Sequence, residues 1–348
     1  MTLTPDPKQH QSEDQGNTTV VYKQGEAPRH QNYLWFEEVA PKANYLRAGD
    51  KTDLGLQDGS FQGKLGNGDY AAMALDIGYK YTVPLPTKDS PPQPLVNEDG
   101  IFKLEYKGKI YMAVADGLGG HHAGEFATRV FLESLYSNLN LGMKPLLAID
   151  FAAKSLELEH LKNPYTVHGE PTDTMATCFC LAKIAKVHGE KRVTFYHVGD
   201  CKGIVSMPGS EIVSTVDHTL AQDMRTDRSS PEFKDHNRKL MKVIGLKEGV
   251  LSKDNYGEPV KAKKTGPFPL PPGSHVGVFT DAVTDNFGRA LERKMLKIID
   301  HSVALAENAL NRDSSVEIVD SIYNLVKNKI NKGRGKRDNI AIGFISVK

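Results

Sequence analysis

Residues 109–127 read KIYMAVADGLGGHHAGEFA, and this stretch decides how the chain is to be read. An apolar run, YMAVA, ends abruptly in Asp116, and glycines follow at 117, 119 and 120. The run has strand character, because short apolar segments bounded by turn residues favour a buried strand. Directly after it, AGEFATRVFLESLYSNL places Phe126, Val130, Phe131, Leu135 and Leu139 at helical spacing, which predicts an amphipathic helix. A strand that delivers a carboxylate to a glycine turn and then enters a helix is the organising unit of the chain.

Working outward, IFKLEY and KIYMAVAD predict two strands around a Lys-Gly turn. AAMALDIG precedes them as a strand, and a second helix is expected from Pro145 to about Leu161. TMATCFCLAKI, RVTFYHVG and CKGIVSM predict further strands. SHVGVFTD predicts another, and NIAIGFISV closes the chain as the last. Two long helices are expected around 289–309 and 314–330. These segregated runs do not alternate as βαβ units do, so the class is α+β, a two-sheet sandwich flanked by helix pairs. Residues 1–65 read as an N-terminal extension whose first 30 or so residues have the composition of a flexible tail. Trp35, the single tryptophan, lies in NYLWFEEV, an arm that would serve either the domain or a partner. The domain itself spans 66–348. It carries a Pro-rich insertion at 80–95, with five prolines between Pro84 and Pro94, and an irregular flap at 219–265 holding a short helix near Asn237–Ile244.

Lys plus Arg number 44 and Asp plus Glu 43, a balance that argues against nucleic-acid binding through the bulk field. No stretch approaches the ~20 apolar residues of a membrane helix. The opening MTLTPDPKQHQSEDQ is polar and acidic, not a secretory signal, so a cytoplasmic protein is expected, with signal-independent export still compatible. Cys178, Cys180 and Cys201 read as buried free thiols of a reducing compartment; a metal site is the less favoured alternative.

Acidic residues recur where apolar strands end: Asp116 after YMAVA, Asp281 after HVGVFT, Asp338 before NIAIGFISV, and Asp99, with Glu98 beside it, before IFKLEY. Carboxylates held at rigid sheet edges are what a hard divalent cation such as Mg²⁺ or Mn²⁺ requires. Singly, each has an ordinary reading: a hairpin turn at Asp116-Gly117, a helix cap at Asp281, an Asx turn at Asp338.

Taken in order, NEDG at 97–100, VADGLGGHHAGEFA at 114–127, TDTMATC at 172–178, HVGDCKG at 197–203, VDHT at 216–219, FTDAVTD at 279–285 and RDNIAI at 337–342 resemble the sequential motifs of the PP2C-type (PPM) phosphatases, in the bacterial form DGLGG. The resemblance covers about residues 70–348. It implies a four-layer αββα sandwich of two antiparallel sheets. It also implies Mg²⁺- or Mn²⁺-dependent hydrolysis of phosphoserine and phosphothreonine in a phosphoprotein substrate, through a water bridging two metal ions. On it, Asp116 bridges the ions, Gly117 offers its carbonyl, and Asp281 and Asp338 are further direct ligands. Glu98 and Asp99 match the upstream acidic pair, and Asp285 matches a position that helps hold a third, weaker ion. Asp116, Asp281 and Asp338 would then carry catalysis through the metal-bound water. His121 and His122 read either as proton donors to the leaving oxygen or as solvated histidines.

Three departures stand out. Asp281 is followed by Ala282 where the motif has glycine, and Cys201-Lys202 stands where a serine-arginine is common. The insertion puts Pro94 where the family carries a phosphate-gripping arginine, leaving Lys80 and Lys88 as candidate substitutes. That loss keeps a rival reading open, a weak or silent PP2C-like protein that binds or scaffolds a phosphoprotein.

Overall fold

In a computed structural model of the chain, the residues described are 33–38 and 42–47 (backbone), 59–76, 97–118, 124–162, 166–167, 170–171, 174–219, 222, 224–225, 232, 240–246, 260–308, 313–336 and 338–348. The Pro-rich insertion, the two histidines 121 and 122, Lys80, Lys88, Pro94 and most of the flap lie outside them.

Two sheets form the middle of the molecule. The first is built from β1 (Tyr33–Glu38), β2 (Lys42–Arg47), β5 (Asp99–Tyr106), β6 (Lys109–Gly117), β9 (Thr174–Val187), β10 (Glu190–Val198), β13 (Ile244–Leu246) and β14 (Lys263–Pro269), in the order β14-β10-β9-β6-β5-β1-β2 with β13 beside β9. Its pairs are antiparallel except β1 with β5, which run parallel. The second sheet runs β12-β11-β15-β16-β4-β3, from Val213–Ser214, Lys202–Ser206, His275–Phe279, Ile340–Ser346, Tyr70–Asp76 and Gly59–Lys64. Thus β3, which lies ahead of the boundary expected at residue 66, pairs along β4. A small ribbon joins β7 (Thr166–Val167) to β8 (Glu170–Pro171).

The sheets pack face to face, and helices cover each outer face. Alternation along β6 sorts its side chains between two cores. Ile110, Met112 and Val114 point between the sheets, while Tyr111, Ala113 and Ala115 point at helices α1 (Gly124–Asn140) and α2 (Pro145–Lys162). Strand β16 does the same: Ala341 and Ile345 enter the inter-sheet core, whereas Ile340, Ile342 and Phe344 meet the second helix layer. That layer comprises α3 (Asp281–Phe287), α4 (Leu291–Asn308) and α5 (Ser314–Asn331). Helix α1 docks through Phe131, Leu132, Leu135 and Leu139, with the Phe131 ring 4.8 Å from that of Phe179. Helix α5 docks through Val319, Ile322, Val326 and Ile330 and starts at Asp313, whose side chain accepts the Ser315 N–H at 3.0 Å. The expected α+β, four-layer αββα sandwich is therefore the architecture found.

Of two local expectations, one is borne out and one is corrected. The helix expected near 289–309 runs over Leu291–Asn308, and it is preceded by a separate helix of about two turns, α3, closed at Gly288, whose φ of 63° suits a residue without a side chain. No helix forms over 240–246: Leu240 bridges Thr219, and Ile244 pairs with Thr177 at the edge of β9. Val243 and Ile244 are both buried there, so an open sheet edge outcompetes the weak helical pattern. No helix among the described residues is long and apolar enough to cross a membrane.

Candidate metal centre

The site forms at the end of the sandwich where strands from both sheets stop together. In the first sheet, antiparallel register places Asp99, the first residue of β5, opposite Asp116 near the end of β6. The Gly117 N–H donates to the Glu98 carbonyl at 2.9 Å, which closes the pair. The Asn97 side-chain oxygen accepts the Asp99 N–H at 2.9 Å and that of Asn339 accepts the Glu98 N–H at 2.9 Å. The turn carrying both acids is thus held from two sides, once by its own chain and once across 241 residues.

In the second sheet, Thr280 follows β15 and is wholly buried. Its hydroxyl donates to Asp99 Oδ2 at 2.7 Å and accepts the Ala341 N–H at 3.2 Å, while its own N–H donates to the Ala341 carbonyl at 3.1 Å. One hydroxyl therefore ties the first sheet's carboxylate to the strand pair that carries Asp281 and Asp338. Asn339, next to Asp338, makes the second tie.

Around Asp281 the charge is dense. The ammonium of Lys336 lies 2.5 Å from Asp281 Oδ2, 2.9 Å from Asp285 Oδ2 and 3.0 Å from Asp338 Oδ2. Glu98, Asp99 and Asp338 are buried, and an ionised carboxylate taken from water is costly unless paired. Burial and then the charge of Asp338 push the Asp281 carboxyl well above the ordinary carboxylate range, with Lys336 opposing. Burial likewise raises Asp200 to about 6, reinforced by Asp217 and opposed by Lys336. For Lys336 burial acts downward, but Asp281, Asp338 and Asp285 outweigh it and hold the ammonium charged.

Backbone room is scarce beside Asp116. A Cβ on Gly117 would stand 2.1 Å from the Gly124 carbonyl oxygen, and one on Gly124 would stand 2.8 Å from Glu98 Oε1. Only glycines allow the strand end to touch the start of α1.

The sequence-derived residues fall into two groups, Glu98, Asp99, Asp116 and Gly117 at the end of the first sheet, and Asp281 and Asp285 on α3 with Asp338 just before β16, joined by Thr280 and Asn339. Their donors are all oxygen, which suits Mg²⁺ or Mn²⁺ rather than a soft metal. No three His, Cys, Asp or Glu side chains among the described residues are gathered closely enough to hold an ion unaided. Three of the carboxylates, Asp281, Asp285 and Asp338, close instead on the Lys336 ammonium.

Four contributors were not assigned from sequence: Thr280, Asn339, Lys336 and Asp200. Asp200 stands in HVGD, whose Gly199 has φ 88° and would drive a Cβ to 2.1 Å from Cys178 Sγ. The Gly199 N–H donates to His218 Nδ1 at 3.1 Å and its carbonyl accepts the His218 N–H at 2.9 Å, so the HVGD and VDHT motifs are two sides of one contact. Lys202, where arginine is common, pairs with Asp217 and donates to the Thr215 carbonyl at 3.0 Å. The three cysteines are free, as expected, and all lie in the inter-sheet core.

The fold is similar to that of several solved serine/threonine phosphatases. The Streptococcus agalactiae serine/threonine phosphatase is similar over 80% of this chain and 100% of its own, with TM-score 0.53 at 21% identity. Staphylococcus aureus Stp1 covers 82% and 98% with TM-score 0.56 at 16% identity. The catalytic domain of the phosphatase PstP, solved in complex with two manganese ions, covers 80% and 97% with TM-score 0.52 at 19% identity. In sequence, the Listeria welshimeri serine/threonine phosphatase stp is 28% identical over 180 residues, 49% of this chain and 69% of that protein, and its Listeria innocua counterpart is 27% identical over the same length. No family model matches the chain. Both comparisons, the sequence relatives over about half of this chain and the solved structures in fold, are thus with proteins named serine/threonine phosphatases.

Proposed function

We propose that this chain is a PP2C-type phosphatase that hydrolyses phosphoserine and phosphothreonine in proteins with two Mg²⁺ or Mn²⁺ ions. The observation that carries the reading is the meeting of the Asp99–Asp116 pair with Asp281 and Asp338 through the single hydroxyl of Thr280. Asp116, the Gly117 carbonyl, Asp281 and Asp338 would hold the ions, with Asp99 and Glu98 acting directly or through water and Asp285 serving a weaker third. When bound, the ions supply an activated water and neutralise the phosphoryl oxygens. The chain's own part is to hold the carboxylates in place beforehand. Thr280 fixes the Asp99 carboxylate, and Asn97 and Asn339 fix the turn beneath it.

Covalent catalysis by cysteine has no support. Burial pushes the thiols of Cys178, Cys180 and Cys201 up, which leaves them protonated and inert at neutral pH. The second reading, a silent phosphoprotein-binding relative, draws on the Lys336 ammonium that already satisfies three site carboxylates.

Phosphate release from a phosphothreonine peptide separates the two. The phosphatase reading expects release with Mn²⁺ or Mg²⁺ that stops in excess chelator. Peptide binding without release under both conditions would favour the silent reading, and release that persists in chelator would remove the metal from the account.

A further inference from the structure

Lys336 has no part in the phosphatase reading, yet its ammonium closes on three acids of the site. Its ammonium donates to Asp281 Oδ2 at 2.5 Å and lies at ion-pair distance from one oxygen each of Asp285 and Asp338. Its backbone is fixed as well. The Lys336 carbonyl accepts from Asn286 Nδ2 at 3.1 Å, and the same amide donates to the Ala282 carbonyl at 2.8 Å, so the loop after α5 is pinned to α3, the helix that carries Asp281 and Asp285. A Cβ on the neighbouring Gly335 would stand 2.3 Å from Asn286 Oδ1, which leaves that loop no slack. The Lys336 side chain nevertheless keeps 37% of its surface open, so its flexible stem has a way out to water.

We infer that Lys336 is a built-in competitor of the divalent cations, occupying the Asp281 and Asp338 oxygens in the metal-free chain and yielding them when metal binds. The inference rests on the proposed role of Asp281 and Asp338 as metal ligands. A divalent ion such as Mg²⁺ takes carboxylate oxygens at roughly 2.0–2.1 Å, and an oxygen that holds it has only its remaining lone pair left for the ammonium. Two like charges that close also repel strongly in a partly buried site. On this inference metal binding displaces the ammonium against its ion pairs, and the metal affinity is the intrinsic one lowered by that cost. In return, the metal-free fold escapes the mutual repulsion of three carboxylates.

The test is calorimetric titration of the metal-free full chain with MnCl₂, for the natural protein, Lys336→Met, Lys336→Gln and Lys336→Arg. Lys336→Met keeps the stem and loses the charge, and should bind Mn²⁺ at least tenfold more tightly. Lys336→Arg keeps the charge and should stay within about threefold of the natural protein. Should Lys336→Met not fold without metal, Lys336→Gln, whose amide still donates to carboxylates, takes its place, with far-UV circular dichroism as the check. Equal or weaker Mn²⁺ binding by the folded uncharged variants, beside measurable binding by the natural protein, overturns the competition. Absence of Mn²⁺ binding by every form overturns the metal-centre reading itself, and this inference with it.

Discussion

Removing one hydroxyl should loosen the joint between the two halves of the site. Thr280→Val keeps the shape of a fully buried side chain and deletes its oxygen. Two hydrogen bonds go at once. The first, to Asp99 Oδ2 at 2.7 Å, has a charged acceptor, a kind that contributes roughly 1.5–3 kcal/mol. The second leaves the buried Ala341 N–H without this acceptor, an unmet donor that costs roughly 1–3 kcal/mol. The two share one atom and are not additive, so a net loss of about 3 kcal/mol is expected. Urea unfolding in chelator measures it free of metal effects, and Thr280→Ser, which retains the oxygen, should recover most of the loss. Mn²⁺ affinity should fall in parallel, because the Asp99 carboxylate is no longer aimed. A Thr280→Val protein within about 0.5 kcal/mol of the natural one, with unchanged Mn²⁺ affinity, would refute the joint.

Further outcomes follow from the same geometry. Asp116→Asn should cut turnover by orders of magnitude with the fold intact, and Asp285→Asn should cut it less; more than about a tenth of the activity left in Asp116→Asn, or ~1.4 kcal/mol of barrier, would contradict the role of Asp116. Gly199→Ala should cost several kcal/mol, since it meets both a positive φ and Cys178 Sγ, and thermal unfolding reads the loss directly. Acid should also loosen the stacked pair His197 and His218, whose rings lie 5.0 Å apart. Burial lowers His197 to about 3, helped by His218, Lys263 and Lys202, and lowers His218 to about 4, helped by Lys242, Lys263 and Lys202. The unfolded chain thus binds the extra protons, so stability is full above about pH 6.5 and falls as the pH drops toward 4. His218→Asn, which can still offer an acceptor to the Gly199 N–H, should flatten that slope by roughly 2–3 kcal/mol, and an unchanged slope would exclude His218 as its source.

The carboxylates were legible because each interrupts an apolar run at a strand end, where a charge has no packing reason to be. Strand faces were not. Strands β6 and β16 are buried on both sides, so their apolar runs do not alternate, and only the folded chain shows which residues enter which core. Lys336 was hidden for another reason. In GRGKR it reads as part of a solvated basic loop, and only the return of that loop to α3 turns it into a partner of three acids. Thr280 and Asn339 flank motif acids and look like ordinary turn residues, because their partners lie 181 and 241 residues away. The parallel pairing of β1 with β5 and the extended course of 240–246 depend likewise on open sheet edges that no local pattern records.

The central claim is that these acids hold divalent cations, and anomalous diffraction from Mn²⁺-loaded crystals tests it most directly. The account expects two manganese peaks roughly 3.5–4 Å apart, with Asp116 between them, Asp281 and Asp338 as ligands, and the Lys336 ammonium moved off both. Manganese bound elsewhere, or an ordered crystal in excess Mn²⁺ with Lys336 still seated on Asp281 and Asp338 and no peak beside Asp116, would contradict it.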